Sequence, residues 1–298
     1  MTEQNLKVFS DDVALINSVI ENLGYLKCTS DRSNSVIAAE KYGLCAGGKR
    51  IRPVLCLEFY KLFGGKEDIS EIAACLELIH TFSLIHDDMP EMDNDSMRRG
   101  KPSVHAAYGA DIALLAGDGL SLLPFEIISA NALAGKISCE TAVKLTSYLS
   151  CASGNMGMIM GQMLDIISEG QDVNIEFLKE MSAKKTGCLL MASAAFGAIL
   201  AGAEQCDVKR AEEYAANLGM SFQIVDDILD VIGTESELGK PIGSDKIRNK
   251  NTFADVLGID KAYELAQRYT ESAVAQIKDL NGSQLLCELA SDLVKRRM

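Results

Sequence analysis

The sequence contains no tryptophan, only three histidines and five prolines, and aromatic residues make up just 6% of it. Strand signals are missing as well: no alternating β-branched runs meet Gly-rich hairpin turns, which argues against a sandwich or barrel. Positive charge is in deficit. Twenty-nine Lys and Arg face 42 Asp and Glu, a net charge of −13. A nucleic-acid binder needs a basic surface, so that class is excluded, as is a polybasic membrane-surface protein. The nine cysteines include no Cys-x-x-Cys pair, and neither they nor the histidines have metal-ligand spacing, which excludes a structural zinc site. Residues 1–10 are polar where a leader would be apolar, so a reduced, cytoplasmic setting is expected. No repeat, low-complexity tract or Pro/Ser-rich linker divides the 298 residues, and 48% hydrophobic content rules out disorder. A single domain over 1–298 is expected.

What is present is helical pattern. From Asp68 the chain reads as a capping box, Asp68-x-x-Glu71, followed by Ile72, Cys75, Leu76, Ile79, Phe82 and Ile85 at three- and four-residue spacing. Segments near 11–26, 111–131, 137–151, 174–200, 208–232 and 260–278 read the same way. The fold class is all-α, a bundle of about ten or more helices, several buried on every side. Thr186 to Ala203 carries no charge and is barely long enough to cross a bilayer. Its Ala, Gly and Ser suit close helix packing, so a buried helix is expected there and no membrane span. Four of the five prolines, Pro53, Pro90, Pro102 and Pro241, stand in or beside charged clusters. Those clusters therefore lie at helix ends or kinks.

Two clusters are acidic. In Phe222–Asp230, Gln223, Asp226, Asp227 and Asp230 fall at i, i+3, i+4 and i+7, which lines one helix face with carboxylates. In His86–Asp95, Asp87 and Asp93 stand too far apart to share a helix face. Pro90 ends the helix near Met89, so Asp93 can fold back toward Asp87, with Asp88 completing the set. Bare like charges repel, so a cation should compensate them. Clustered carboxylates point to a hard ion, and Mg²⁺ prefers a few carboxylates plus substrate phosphate oxygens. An EF-hand is excluded because Arg98 stands where the turn glycine belongs.

Basic clusters alternate with the acidic ones: Gly47–Pro53, Arg98–Pro102, Lys184-Lys185-Thr186, Gly239–Asp245 with Lys240, Lys250, and Lys295-Arg296-Arg297. Arg and Lys are the usual ligands of phosphate oxygens. Gly43-x-x-x-x-Gly48-Lys49 imitates a P-loop, but Arg50 replaces the metal-binding hydroxyl and no strand precedes it.

The series GGKRIRP, HTFSLIHDDMPEMDNDSMRRGKPSVH, GQMLD, KTG, FQIVDDILD and LGKPIGSDKIRNKNT resembles the trans-isoprenyl diphosphate synthases, in the family's order and across Gly47–Thr252. The resemblance implies an isoprenoid synthase fold around a deep central cavity, usually as a homodimer. It implies Mg²⁺-dependent head-to-tail condensation of isopentenyl diphosphate with an allylic diphosphate. By that pattern Asp87, Asp88 and Asp93 hold metal on one wall, and Asp226, Asp227 and Asp230 on the other. Arg98, Lys185 and Lys240 contact the allylic diphosphate, and Lys250 is also expected to bind substrate. Lys49, Arg52, His80 and Arg99 bind isopentenyl diphosphate, and Thr186 and Gln223 line the reacting portion. For His86 and His105 structural roles are expected.

Phe82 lies five residues before Asp87, about 7–8 Å further along the helix. With Ser83 it is expected to limit chain length, and short-chain members resemble this sequence in carrying a bulky aromatic there. Farnesyl diphosphate is the expected product, made from dimethylallyl or geranyl diphosphate, with geranylgeranyl diphosphate as the alternative. A class I terpene cyclase shares the carboxylate–Mg²⁺ logic but needs no second diphosphate site, which Lys49, Arg52 and Arg99 supply here. A non-catalytic regulatory subunit would have lost an acidic motif, and both are intact.

Overall fold

The computed structural model describes residues 1–27, 34–232 and 250–295. The chain runs through α1 (Glu3–Asn22), a short 3₁₀ turn (Gly24–Leu26), α2 (Asn34–Leu44), α3 (Ile51–Leu62) and α4 (Ser70–Asp87). It continues through α5 (Val104–Tyr108), α6 (Ala110–Leu133), α7 (Cys139–Ser153), α8 (Met158–Ser168) and α9 (Ile175–Ser182). After a π-helical turn, Ala183–Gly187, come α10 (Cys188–Leu200) and α11 (Gln205–Ile232). The described chain ends with α12 (Phe253–Leu257), α13 (Ile259–Ile277) and α14 (Gln284–Lys295). The all-α expectation holds. Each of the segments read as helical from apolar spacing forms a helix, because each has a face to bury.

Two local expectations fail. Asp68 does accept a hydrogen bond from Ser70 N at 2.9 Å, but the residue capping α4 is Ile69, so no capping box forms. Two-residue strands Met97–Arg98 (β1) and Lys101–Pro102 (β2) pair antiparallel, a hairpin too short to leave an alternating pattern. Its turn residues Arg99 (φ 51°) and Gly100 (φ 74°) are both left-handed, the geometry of a two-residue hairpin loop.

α10 is the axis of the bundle. Leu189, Ala192, Ala194 and Phe196 are at most 1% exposed, with α3, α7 and α11 packed around them. This is the apolar run that imitated a membrane span. Among the described residues two helical stretches, Ala110–Leu133 and Ile175–Leu200, are long and apolar enough to cross a membrane by length and composition. The first adds to the single span-like run expected from the sequence, and Asp111, Asp118 and Glu126 interrupt it. Phe59 and Tyr214 meet edge to face, ring centroids 5.3 Å apart, and the Tyr214 hydroxyl donates to the Leu286 carbonyl at 2.7 Å. Burying a ring of this size contributes about 2–3 kcal/mol. The contact ties α3, α11 and α14 into one frame, and α4 and α11 present their acidic ends from within it.

Candidate active site

The acidic end of α4 folds as its proline requires. Asp93 N donates to the Asp87 carbonyl at 2.9 Å and Asp95 N to the Asp88 carbonyl at 3.1 Å, so the loop doubles back on the helix. Asp87 then lines two adjoining cavities. The larger, about 1030 Å³, is walled by Arg52, His80, Phe82, Asp87, Lys185 and Asp226 among others. The smaller, about 210 Å³, holds Asp87, Asp93, Asp165, Lys185, Asp227 and Lys250. No described side chain donates a hydrogen bond to the Asp87 carboxylate. Burial raises its pKa, and Asp93 adds to the rise while Lys185 opposes it.

The cationic compensation expected from like-charge repulsion is built in. Lys250 Nζ lies 3.1 Å from Asp93 and 3.2 Å from Asp165, and Lys185 Nζ lies 2.6 Å from Asp165. Burial would raise the Asp165 pKa, but Lys185 and Lys250 outweigh it and hold the carboxyl below its ordinary value. Asp165 was not singled out from the sequence. The signal was present: it is the only charged residue of α8, whose only other polar side chains are Gln162 and Ser168. Gly161 on the same helix lets α8 reach the π-helical turn, since a Cβ there would stand 2.1 Å from Lys185 N. A π turn inside a helix re-aims successive side chains. Here it sends Lys185 and Thr186 into the large cavity, where Thr186 Oγ1 donates to Gln223 Oε1 at 3.1 Å.

The structure departs from the sequence expectation at Asp88, Asp227, Asp230 and Lys49. Asp88 is 2% exposed, and its two carboxylate oxygens share the N–H of Arg98 Nε at 2.8 Å each, with Arg98 Nη2 also donating to Oδ1. It borders a separate small crevice with Arg98 and Arg99, because consecutive residues at the helix end point about 100° apart. Asp227 Oδ2 accepts from Phe253 N and Oδ1 from Gln223 Nε2, both at 2.8 Å, which fastens α12 to α11. Asp230 is 3% exposed and lines neither cavity. Lys49 borders a third cavity with Phe9, Ile51, Leu289 and Leu293. The left-handed Arg50 (φ 50°) turns the chain between Lys49 and Arg52, so the two side chains leave in different directions. Lys240, Arg296 and Arg297 lie outside the described residues.

The far side of the large cavity is basic. Arg52 Nε is buried with no hydrogen-bond partner among the described residues, and burial brings the guanidinium down to about 10, with Glu77 opposing and Arg99 adding to the shift. His80 is held well below its ordinary value by burial and by Arg52, Arg99, Arg98 and Arg50, so it is neutral at neutral pH. A buried cation with an unused donor is costly unless an anion completes it. Arg99 is seated by its Nη1 bond to the Gly47 carbonyl. Gly48 makes room: its φ is +130°, and a Cβ there would come within 2.7 Å of the Arg99 guanidinium. Ser83 Oγ donates to the His80 carbonyl at 2.9 Å, and Ser83 and Phe82 line the apolar part of the cavity.

Oxygen donors suited to a hard cation are therefore concentrated here, although no three described His, Cys, Asp or Glu side chains stand close enough to share one ion. The reason is local. Asp88, Asp93, Asp165 and Asp227 are each engaged by a cationic or amide donor, whereas the Asp87 carboxylate accepts no bond from the described residues. The residues fit Mg²⁺ by donor type: Asp87 and Asp226 present carboxylates to the large cavity, and Asp87 and Asp93 to the small one.

Comparison with known proteins agrees with this chemistry. Residues 34–283 match the model of the polyprenyl synthetase family. The geranylgeranyl diphosphate synthase of Cyanophora paradoxa is 42% identical over 259 residues, covering 86% of each chain. The large subunit 1 of the chloroplastic heterodimeric geranylgeranyl pyrophosphate synthase of Arabidopsis thaliana is 42% identical over 256 residues, 85% of this chain and 69% of that one. Among solved structures, an FPP/GFPP synthase from Zymomonas mobilis superposes with a TM-score of 0.87 at 31% identity, covering 99% of this chain and 100% of that one. A Helicobacter pylori geranyltransferase complexed with magnesium and isoprenyl diphosphate gives 0.83 at 32% identity, covering 99% and 98%. With two acidic helix ends facing a basic pocket across one apolar cavity, the chain belongs to the polyprenyl synthetase family and is a prenyltransferase of the trans-isoprenyl diphosphate synthase type.

Proposed function

We propose that the protein condenses isopentenyl diphosphate with dimethylallyl or geranyl diphosphate and releases farnesyl diphosphate as its main product. The observation that carries this is the cavity of about 1030 Å³ joining Asp87, Asp226 and Lys185 to Arg52, whose Nε has no partner among the described residues, and to His80, with apolar walls between. Such a cavity has room for two diphosphates and one growing tail.

The residues divide the work. Lys185 supplies positive charge to the allylic diphosphate, and Arg98, held by Asp88, lines the same small cavity. Asp87, Asp93 and Asp226 would hold Mg²⁺, which when bound offsets the charge that builds on the departing diphosphate. Arg52, with Arg99 beside it, binds isopentenyl diphosphate and aims its double bond at the allylic carbon, so proximity supplies much of the rate. Neutral His80 can donate one hydrogen bond there without adding charge. The apolar walls keep water from the allylic cation. Released diphosphate takes the final proton, in keeping with the absence of any His–carboxylate base pair among the described lining residues.

Phe82 supports the farnesyl reading as the end stop of the tail region. A second reading, geranylgeranyl diphosphate, is favoured by the names of the curated relatives. Chromatography of products from isopentenyl diphosphate with each allylic primer and Mg²⁺ decides between them. A dominant C15 peak supports the proposal and a dominant C20 peak replaces it. Diphosphate binding without turnover would favour a regulatory subunit instead.

The protein also works as a homodimer on this reading. Leu114, Ile159, Met163 and Ile166 line the cavity yet are 44–52% exposed, so a second copy packed on α6 and α8 would close its open wall. Light scattering should give twice the mass of 32.2 kDa. The cytoplasm suits this chemistry and its free thiols.

A further inference from the structure

Phe82 has an aromatic neighbour on its Asp87 side. The His86 ring lies one helical turn on along α4 and meets Phe82 edge to face, centroids 5.8 Å apart at 77°. Both rings line the cavity. His86 in turn is seated in a notch on α6. Its Nε2 lies 3.1 Å from the Leu114 carbonyl oxygen, a contact that requires the proton on Nε2. The notch exists because residue 117 is glycine. A Cβ there would fall 2.0 Å from His86 Nε2 and 2.3 Å from Cδ2, closer than any real contact. Glycine in a helix interior costs stability relative to alanine, and 117 lies mid-helix in α6, so this helix gives up some stability at the one point where the imidazole enters.

We propose that His86, locked into the Gly117 notch, is the positioning residue that braces Phe82 and thereby sets where chain growth stops. The inference rests on the reading of Phe82 as the end stop. Without the brace, the Phe82 ring loses its edge contact and is free to change rotamer, so it no longer closes the tail region at one fixed depth and some chains grow by a further condensation.

The test is the ratio of C20 to C15 product from geranyl diphosphate for four variants: Phe82→Ala, His86→Ala, Gly117→Ala and the His86→Ala/Gly117→Ala pair. An aromatic edge contact corresponds to a roughly two- to tenfold change in such a ratio. His86→Ala should raise it by that factor while the rate of the first condensation holds. Gly117→Ala should do the same, because the new methyl expels the ring. In the paired variant the methyl meets no ring, so the protein folds even if Gly117→Ala alone does not, and the ratio should match that of His86→Ala. If Phe82→Ala lengthens the product but His86→Ala and the pair keep the unmodified ratio, the brace is refuted and the end stop stands. If Phe82→Ala leaves the product unchanged, the end stop fails and the brace with it.

Discussion

Replacing Glu77 by glutamine should destabilise the protein while leaving its surface charge pattern almost untouched. Glu77 lies on α4 with its carboxylate 2.6 Å from Arg50 Nη1, and both side chains are 2% exposed. Arg50 also donates to the Leu44 carbonyl at 2.6 Å and to Asn17 Oδ1 at 2.9 Å, so one guanidinium joins α1, α2 and the entry to α3. Removing one partner of a buried pair costs about 3–5 kcal/mol, because the other charge is left without compensation. Glutamine still accepts one hydrogen bond and the other two bonds remain, which brings the expectation to about 2–4 kcal/mol. That is a large part of the roughly 5–15 kcal/mol that stabilises a typical domain. Urea unfolding followed by circular dichroism measures it, and the loss should persist in high salt, since a buried pair is poorly screened. The exposed pair Lys144–Glu140 provides the control, and Glu140→Gln should leave the midpoint unchanged. A loss below about 1 kcal/mol for Glu77→Gln would refute the view that this pair holds the basic loop in place.

Three further outcomes follow from the same geometry. Asp165→Asn removes the carboxylate that holds Lys185 and Lys250, so turnover should fall about 10–100-fold and the Mg²⁺ requirement should rise, both measurable by steady-state assay. Gly48→Ala strains a backbone at φ +130° and displaces Arg99, so the KM for isopentenyl diphosphate should rise more than kcat falls. Glu40 is 6% exposed, and burial lifts its pKa to about 7. The folded state then holds a proton that the unfolded state has lost between the ordinary carboxylate range and about 7, so stability falls as pH rises through that window. Glu40→Gln should flatten that slope and raise stability at pH 8 by about 1–3 kcal/mol, read from urea midpoints at several pH values.

Helix content, the acidic and basic motifs and the turn at Pro90 were all legible in the sequence, because each follows from local periodicity or from the stereochemistry of a single residue. Asp93 folds back on Asp87 as Pro90 demands, and the middle of Thr186–Ala203, residues 192–198, is buried as its small side chains suggest. Which carboxylate faces which cavity was not legible. Asp87 and Asp88 are neighbours of identical chemistry, yet one lines the reaction cavity and the other is held by Arg98, a difference set by helix phase and by the hairpin that brings Arg98 back. Lys49 and Arg52 part company for a similar reason, the left-handed turn at Arg50. Asp165 gained its partners only when α8, the π turn and Lys250 came together across 85 residues of chain. The sequence by itself determined an all-α protein with paired acidic helix ends and interleaved basic loops, since helix period and residue chemistry are local. The tertiary structure alone decided which charges meet, which cation keeps an unused donor and where the tail cavity ends, because those depend on distances between segments that no local pattern encodes.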